Sequence, residues 1–402
     1  MKMKKRILFV APSSYPVNSP EAIVNIKLLE ILGNNDYEID LISKKIKWDN
    51  YPSTKTLEEL NVSLKSCNVI EVDNKFNFVT LLQHLKVYFI FGAVFKGAHW
   101  ALEVLNKCKH LLKRDYDYVL TKSSPSLLVG YYLKKRFGYK WIATWNDPYP
   151  HQKYPFPYGG GVLAKLPYFQ RRILKIMETA DIHIFPNDRI RDYMLKYLNV
   201  PIESAKVIPH LAQEAKDRYS ESNNGRLRLI HAGNVRSPRN PKPLVEAFGK
   251  FINENGISDV ELHFIGVVDD DLKRKIGELS HNGQIKVLPP VEYEESLALL
   301  KDYDIALIIE APCEEGIFLP TKVGDYMTAQ IPIYSISPKI GILNDLYKQD
   351  YIQYFSSVDS TDEILNELIK IYDDFKNNTI KVSKFNTNYS ACKILNEYNS
   401  LS

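Results

Sequence analysis

Three cations crowd one short turn of this sequence. The stretch HAGNVRSPRNPKPLVEAF, residues 231–248, sets Arg236, Arg239 and Lys242 between an apolar run that ends at Gly233 and a helical run that starts near 241. Like charges in one loop repel, and an anion among them relieves the repulsion. Gly233 lets such a ligand come close to the backbone. The plainer reading is three solvated side chains, which serves for any one of them. A second stretch, EEGIFLPTKVGDYMTAQIP, runs from Glu314 to Pro332 and follows the apolar run Ile305 to Ile309, which reads as a buried strand. Pro320 and Thr321, the expected N-cap, precede Val323, Tyr326 and Met327 at helical spacing. The new helix therefore points unpaired N–H groups into the loop, and that end attracts anions. Lys322 stands in the first turn, where a helix alone prefers an acid, and this argues for a phosphate partner. Asp325 can accept hydrogen bonds from a ribose diol. A third stretch, Asn146-Asp147-Pro148-Tyr149-Pro150-His151, ends the strand-like run KWIATW at 140–145. It either holds polar side chains out of a sheet or closes an Asx turn.

The elements that position these residues alternate. Arg6 to Ala11 is a short strand, a loop containing Ser13, Ser14 and Asn18 follows, and a helix runs from Glu21 to Leu32 with Gly33 ending it. Further strand–helix units follow: strands near 68–73, 116–121, 140–145, 181–186 and 205–210, and helices at 124–138, capped by Ser124, at 162–179 and at 188–198. Residues 45–67 read as an irregular insertion and 211–225 as a polar linker. A second β/α series then runs from 226 to about 385. This rhythm predicts an α/β chain of two doubly wound sheets, and 402 residues exceed one ordinary core. The expected domains are 1–210 and 211–385, with a last helical segment at 386–402. No G-x-G-x-x-G dinucleotide motif is present.

The string P-T-K-V-G-D-Y-M-T-A-Q-I-P (320–332) resembles the P-S-K-x-x-E-Y-M-A-x-G-x-P element of bacterial glycosyltransferases of GT-B fold, in the large retaining family usually numbered four (glycosyl transferases group 1). The resemblance implies two Rossmann-like domains facing a central cleft, with the last helix crossing back to the first domain. It puts Lys322 at a donor diphosphate and Asp325 in the place of a ribose-binding Glu. Glu315 is the nearest match to the family's other acid, with Glu314 beside it, and Gln330 takes the place of a common Gly. Gly316, Ile317 and Phe318 join Glu315 as candidates to line the donor. In the earlier turn the family has Gly-Arg-x-x-x-x-Lys-Gly; counting from Gly233, Asn234 takes the Arg place, Arg239 the Lys place, and Arg236 is an extra cation. At 146–147 the family has His-Asp; here Asn146 and Asp147 stand, with His151 four residues on. His210 takes the Asn place of a V-I-P-N element, and Val291 and Tyr293 border the expected base. The function implied is transfer of a sugar from a nucleoside-diphosphate sugar to a glycan or lipid-linked acceptor of an envelope, capsule or O-antigen polysaccharide, with retention. Two other classes stay open: a sugar-nucleotide 2-epimerase-like isomerase, and a non-catalytic sugar-nucleotide-binding subunit.

Composition narrows the rest. Net charge is +4, with no long basic block, which argues against a nucleic-acid partner. Four cysteines lie far apart without C-x-x-C, so no structural zinc is expected, and a reduced cytoplasmic setting fits. No D-x-D pair is placed for a metal; neither metal nor cofactor is expected, the donor being a substrate. The basic start MKMKKR precedes an apolar core of only Ile7 to Ala11, too short for a signal peptide. No run approaches the ~20 apolar residues of a membrane span. Phe76 to Arg114 is rich in aromatic and basic residues. It either packs on its own domain or lies against the anionic inner face of a membrane, in which case Phe89 and Phe91 are the residues to replace. Lys165, Arg171, Arg172 and Lys175 raise the same question for the helix at 162–179.

Overall fold

Short runs of Val, Ile and Leu bounded by turns form parallel strands, because each is covered on both faces by the helices between them. A computed structural model describes residues 4–16, 19–45, 55–72, 78–94, 97–212, 225–239, 241–254, 256–279 and 283–401. Asn18, most of the polar stretch 211–225 and part of the 45–67 segment lie outside the described residues. The chain divides into two compact units.

The first unit comprises 1–154, 160–211 and 390–402. Its elements in order are β1 (Lys5–Val10), α1 (Pro20–Gly33), β2 (Tyr37–Lys44), β3 (Ser66–Ile70), α2 (Phe78–Phe91), α3 (Ala98–Lys107), β4 (Tyr118–Lys122), α4 (Ser126–Phe137), β5 (Trp141–Thr144), α5 (Tyr168–Met177), β6 (Ile182–Phe185), α6 (Asp188–Leu195) and β7 (Ala205–Val207). The parallel sheet has the order β3-β2-β1-β4-β5-β6-β7. The second unit, 155–159 and 212–389, holds β8 (Leu227–Ala232), α7 (Lys242–Glu254), β9 (Val260–Ile265), α8 (Asp270–Leu279), β10 (Ile285–Leu288), α9 (Tyr293–Ala298), β11 (Ile305–Ile309), α10 (Lys322–Ala329), β12 (Ile333–Ser337), α11 (Ile342–Lys348), β13 (Tyr354–Ser357) and α12 (Thr361–Lys376). Its sheet order is β10-β9-β8-β11-β12-β13. In both sheets the order reverses beside the first strand, and such a switch point opens a crevice at the carboxyl edge. The second sheet carries a core on each face, one around Phe248, Phe264 and Ile364, the other around Ile308, Tyr326 and Met327. The helix α13 (Ala391–Asn399) returns to the first unit and packs Ile394 and Tyr398 into its core. Burying two side chains of that size contributes about 3–5 kcal/mol before ordering costs.

Several local expectations are corrected. Gly33 is the last residue of α1, as expected, but it ends the helix without a left-handed turn, and Asn34 follows as the cap. A glycine is needed there because the Ser63 carbonyl packs where a Cβ would sit. Ser124 does not cap α4, whose cap position is Pro125; its hydroxyl donates to Tyr149 Oη at 3.0 Å. The helix expected over 162–179 starts only at Tyr168. The 76–114 stretch is two helices broken at Gly92. Within it Phe91 is fully buried and Phe89 is 81% exposed, so the two phenylalanines have different roles.

Candidate functional site

At the carboxyl edge of the second sheet, β8 runs out at Ala232 into Gly233, whose φ is +151°. That backbone conformation demands glycine, and a Cβ there would also push aside the Lys322 ammonium. The turn is held from behind. Val235 pairs with Val268, and Asn234 Oδ1 accepts from the Val267 amide at 2.9 Å. The Arg239 amide closes the turn by donating to the Arg236 carbonyl at 3.0 Å. Arg236 itself is exposed, whereas Arg239 reaches inward. Its guanidinium donates to Glu310 Oε1 at 3.0 Å, and Tyr158 Oη donates to the other carboxylate oxygen at 3.3 Å. Glu310, the residue after β11, is 5% exposed. Burial works against the Arg239 charge, and Glu310 more than offsets it, so the guanidinium stays protonated. Burial raises the Glu310 carboxyl, with Arg239 pulling it back.

Facing this turn is the start of α10. Thr321 stands at the cap position, yet its backbone is helical and its side chain makes no cap bond, contrary to the sequence expectation. The helix is anchored by Val323, Tyr326 and Met327, all buried. Lys322 lies half-buried along its stem, with its ammonium drawn in to donate to the Ala232 carbonyl. Its pKa falls to about 8; burial is the first cause and the Arg239 charge the second, while Glu310 and Asp325 oppose them. His231, buried below, is held neutral by burial and by both cations, and its Nδ1 donates to the Leu307 carbonyl at 3.2 Å. Asp325 is 2% exposed and accepts from Tyr293 Oη at 2.8 Å, so the 290–300 segment and α10 meet at this carboxylate.

The loop between β11 and α10 is partly committed to structure. The Gly316 amide donates to the Ile340 carbonyl at 2.8 Å, and its own carbonyl accepts from Ile342 at 2.8 Å. Ile317 is fully buried in the domain. Glu315 is half-buried, Glu314 exposed, and the Phe318 ring meets Tyr158 edge-on at 4.9 Å. Tyr158 therefore touches two parts of the site from the short segment 155–159.

The first unit positions the other candidates. Asp147 is exposed beside the Tyr154 hydroxyl, whose pKa rises through burial and then through the Asp147 charge. His151 is exposed and packs on the Tyr154 ring at 4.7 Å. Asn146 lines a cavity of about 20 Å³ at the carboxyl edge of this sheet, together with Lys122, His210 and Tyr398. Its Oδ1 is buried with no hydrogen-bond partner among the described residues. Lys122 is 3% exposed; its carbonyl accepts from Ser126 Oγ at 2.7 Å, and its ammonium forms no hydrogen bond or ion pair with a described residue. Burial lowers its pKa to about 8, against the pull of Glu21. Burial, then Lys122 and Lys27, lower His210 to about 3. The sequence reading named neither Lys122 nor Glu310, nor His231. Each lies at or just past the carboxyl end of a strand, and its neighbours come from distant parts of the chain. Among the described residues no group of three or more metal-ligating side chains gathers, and no helix is long and apolar enough to cross a membrane.

No family model matches the sequence, and none of the curated proteins does. Solved structures match along nearly its whole length. Sucrose-phosphate synthase (tll1590) from Thermosynechococcus elongatus superposes with a TM-score of 0.69 at 13% identity, over 99% of both chains. Anabaena Alr3699/HepE, solved with UDP and glucose, gives 0.68 at 12% identity over 98% of both. The fold is GT-B. The lipopolysaccharide outer core galactosyltransferase WaaB has the same fold, with a TM-score of 0.60 at 12% identity and 98% of both chains covered. So does a putative UDP-N-acetylglucosamine 2-epimerase from Listeria monocytogenes, at 0.58 and 10% identity over 99% of this chain and 96% of that one. Identity this low carries the GT-B architecture from these proteins and nothing finer.

Proposed function

We propose that this protein is a glycosyltransferase that moves a sugar from a nucleoside-diphosphate sugar to a glycan or lipid-linked acceptor, with retention of configuration as in the family numbered four. One observation carries the reading. Lys322 and Arg239, from two separate strand–helix turns, are held close enough at one sheet edge that, after burial, the Arg239 charge is the next cause of the lowered proton affinity of Lys322. A diphosphate bridging the two reverses that cost. When the glycosidic bond breaks, negative charge grows on the departing diphosphate. The ammonium, the guanidinium and the amides at the start of α10 stabilise it without reorganising. Fixed side-chain cations carry this charge, and the reading calls on no metal ion or cofactor. Asp325, steadied by Tyr293, takes the ribose hydroxyls. Glu315 and Phe318 border the donor, and Asn146 and Asp147 orient the sugar or acceptor.

The neighbours support the donor class, since HepE has been solved with UDP-glucose. WaaB supports an acceptor of the envelope-polysaccharide kind. A cytoplasmic setting with peripheral contact at an anionic membrane belongs to the same reading. The test begins with thermal stabilisation by UDP-, GDP- and dTDP-sugars, because a ligand that binds only the folded state raises the melting temperature. Acceptor-dependent release of nucleoside diphosphate from the stabilising donor is the expected result. Isomerised sugar without acceptor would assign an epimerase instead. Binding without turnover on any acceptor would assign a binding subunit, and no stabilisation by any nucleotide sugar would refute the reading.

A further inference from the structure

Helix α2 is apolar nearly all round, and such a helix is ordinarily buried. Here only one side is. Val87 and Phe91 are fully buried, while Leu81, Leu82, Leu85, Tyr88 and Ile90 are between 38% and 49% exposed and Phe89 81%. The face continues onto the start of α5. Tyr88 meets the Phe169 ring at 6.2 Å, and Arg172 Nε donates to the Phe91 carbonyl at 3.4 Å, which pins the two helices together. Tyr168 is 61% exposed, and Leu163, just before α5, 93%. On the far side of α5, Ile173, Ile176 and Met177 are buried, so the helix is anchored and its apolar start is left outward. Six large apolar side chains on one helix and three more beside it are too many and too contiguous for the scattered exposure normal on a protein surface.

The charge pattern says what covers this face. The sequence contains no acidic residue between Asp73 and Glu103, between Asp117 and Asp147, or between Asp147 and Glu178. The fold brings the first and third of these stretches into contact through Tyr88 with Phe169 and Phe91 with Arg172. Their basic side chains rim the apolar surface: Lys86 on α2, Lys165 before α5 and Arg171 on α5 are exposed, and none forms an ion pair with a described residue. Glu103, which accepts from Gln83 of α2 at 3.3 Å, is neutralised by Lys107 at 3.2 Å. An apolar face ringed by unpaired cations matches a surface that is apolar in depth and anionic at its rim. We infer that α2 and the start of α5 form a docking surface for an anionic phospholipid bilayer, with Phe89, Leu163 and Tyr168 inserted among the acyl chains and Lys86, Lys165 and Arg171 at the headgroups. A second protein copy would bury the apolar residues equally well but would gain nothing from the unmatched positive rim. The inference rests on the membrane contact of the proposed function and names the surface that makes it; vesicle binding reads it independently of which donor the enzyme uses.

The experiment uses the full chain and vesicles of phosphatidylcholine alone or mixed with phosphatidylglycerol. Wild type is expected to sediment with the anionic vesicles and not with the neutral ones, and salt should release it. The double variant Phe89→Ser/Tyr168→Ser should lose about tenfold or more of that binding at an unchanged melting temperature, since neither residue supports the core. Lys86→Gln/Arg171→Gln should lose binding to anionic vesicles without any change in folding. Wild type remaining in the supernatant with anionic vesicles at low salt would overturn the inference. So would full binding by the Phe89→Ser/Tyr168→Ser variant. A lipid-free dimer that this variant splits into monomers would assign the face to a second copy instead.

Discussion

Each of the two sheets holds a lysine at its carboxyl edge, and both lysines have a pKa of about 8 rather than the ordinary 10.5. Burial is the first cause in both. Their surroundings differ. Lys322 has a second cation beside it, Arg239, and two carboxylates, Glu310 and Asp325, that offset the pair. Among the described residues Lys122 has the Glu21 charge to offset it, near a His210 that stays neutral and an Asn146 oxygen with no described partner. The same desolvation therefore serves two arrangements. In the second unit, charge and counter-charge are assembled around an edge where an anion can be exchanged. In the first, a single charge is kept in low dielectric with little to compensate it. A low lysine pKa alone does not separate these cases; its neighbours do.

The largest effect expected from this contrast is on turnover. Arg239→Ala or Lys322→Ala should each cut acceptor-dependent transfer by about a hundredfold or more, with circular dichroism and cooperative melting retained. Wild-type rates in both would place the chemistry elsewhere. Gly233→Ala tests the same edge through the backbone. Its methyl would run into the Lys322 ammonium, and the residue's φ of +151° is strained for any side chain. A loss of about tenfold in kcat/KM for the donor is expected. Unchanged kinetics would mean that Lys322 does not act from the position it occupies.

The pH profile distinguishes the two lysines. In the free enzyme, donor capture should fall as pH rises through about 8, because the neutral Lys322 amine no longer attracts diphosphate. Glu310→Gln removes a charge that props that pKa up, so the alkaline limb of kcat/KM should move to lower pH. The variant should also lose about 1–2 kcal/mol of stability, since Arg239 keeps a hydrogen-bond partner but not a counter-charge and is partly exposed. A limb that stays in place would disconnect Glu310 from the site.

How much of this was visible in the sequence follows from distance along the chain. The two-sheet architecture was legible because each strand–helix unit is local. Gly233, Arg239, Lys322 and Asp325 drew attention because each lies in a short turn whose residue types clash with ordinary helix or loop chemistry. Glu310 did not, for it looks like the tail of an apolar strand. It gains meaning only when β11 lies beside β8, which brings it to Arg239 from 71 residues away and to Tyr158 from 152. Lys122 was hidden in the same way, as the last residue of a short strand. The two caps failed because Ser124 had a better hydrogen bond to make and Thr321 adopts a helical backbone. Phe89 and Phe91 were not separable because a helix apolar on every side has no periodicity to show which side is inward. Gln330 is instructive in the other direction. It occupies a place where related motifs have glycine, and its φ is +58°, so the backbone there keeps the left-handed turn and the side chain tolerates it.

The smallest effect concerns the first unit and bears most directly on the contrast. For a lysine whose folded pKa is about 8, the unfolded chain binds the extra proton between pH 8 and 10.5. Stability should therefore rise as pH increases through that window, and the buried charge should cost stability below it. Lys122→Met keeps the volume and removes the charge. At neutral pH it should stabilise the protein by about 1 kcal/mol, and the rise above pH 8 should flatten. Lys322→Met should flatten the same rise while abolishing transfer, so only the first-unit variant gains stability without a cost at the donor site. Melting curves at neutral and alkaline pH decide the matter. If Lys122→Met is instead destabilising at neutral pH, its ammonium has a partner that compensates burial, and the first edge is organised around its charge as fully as the second.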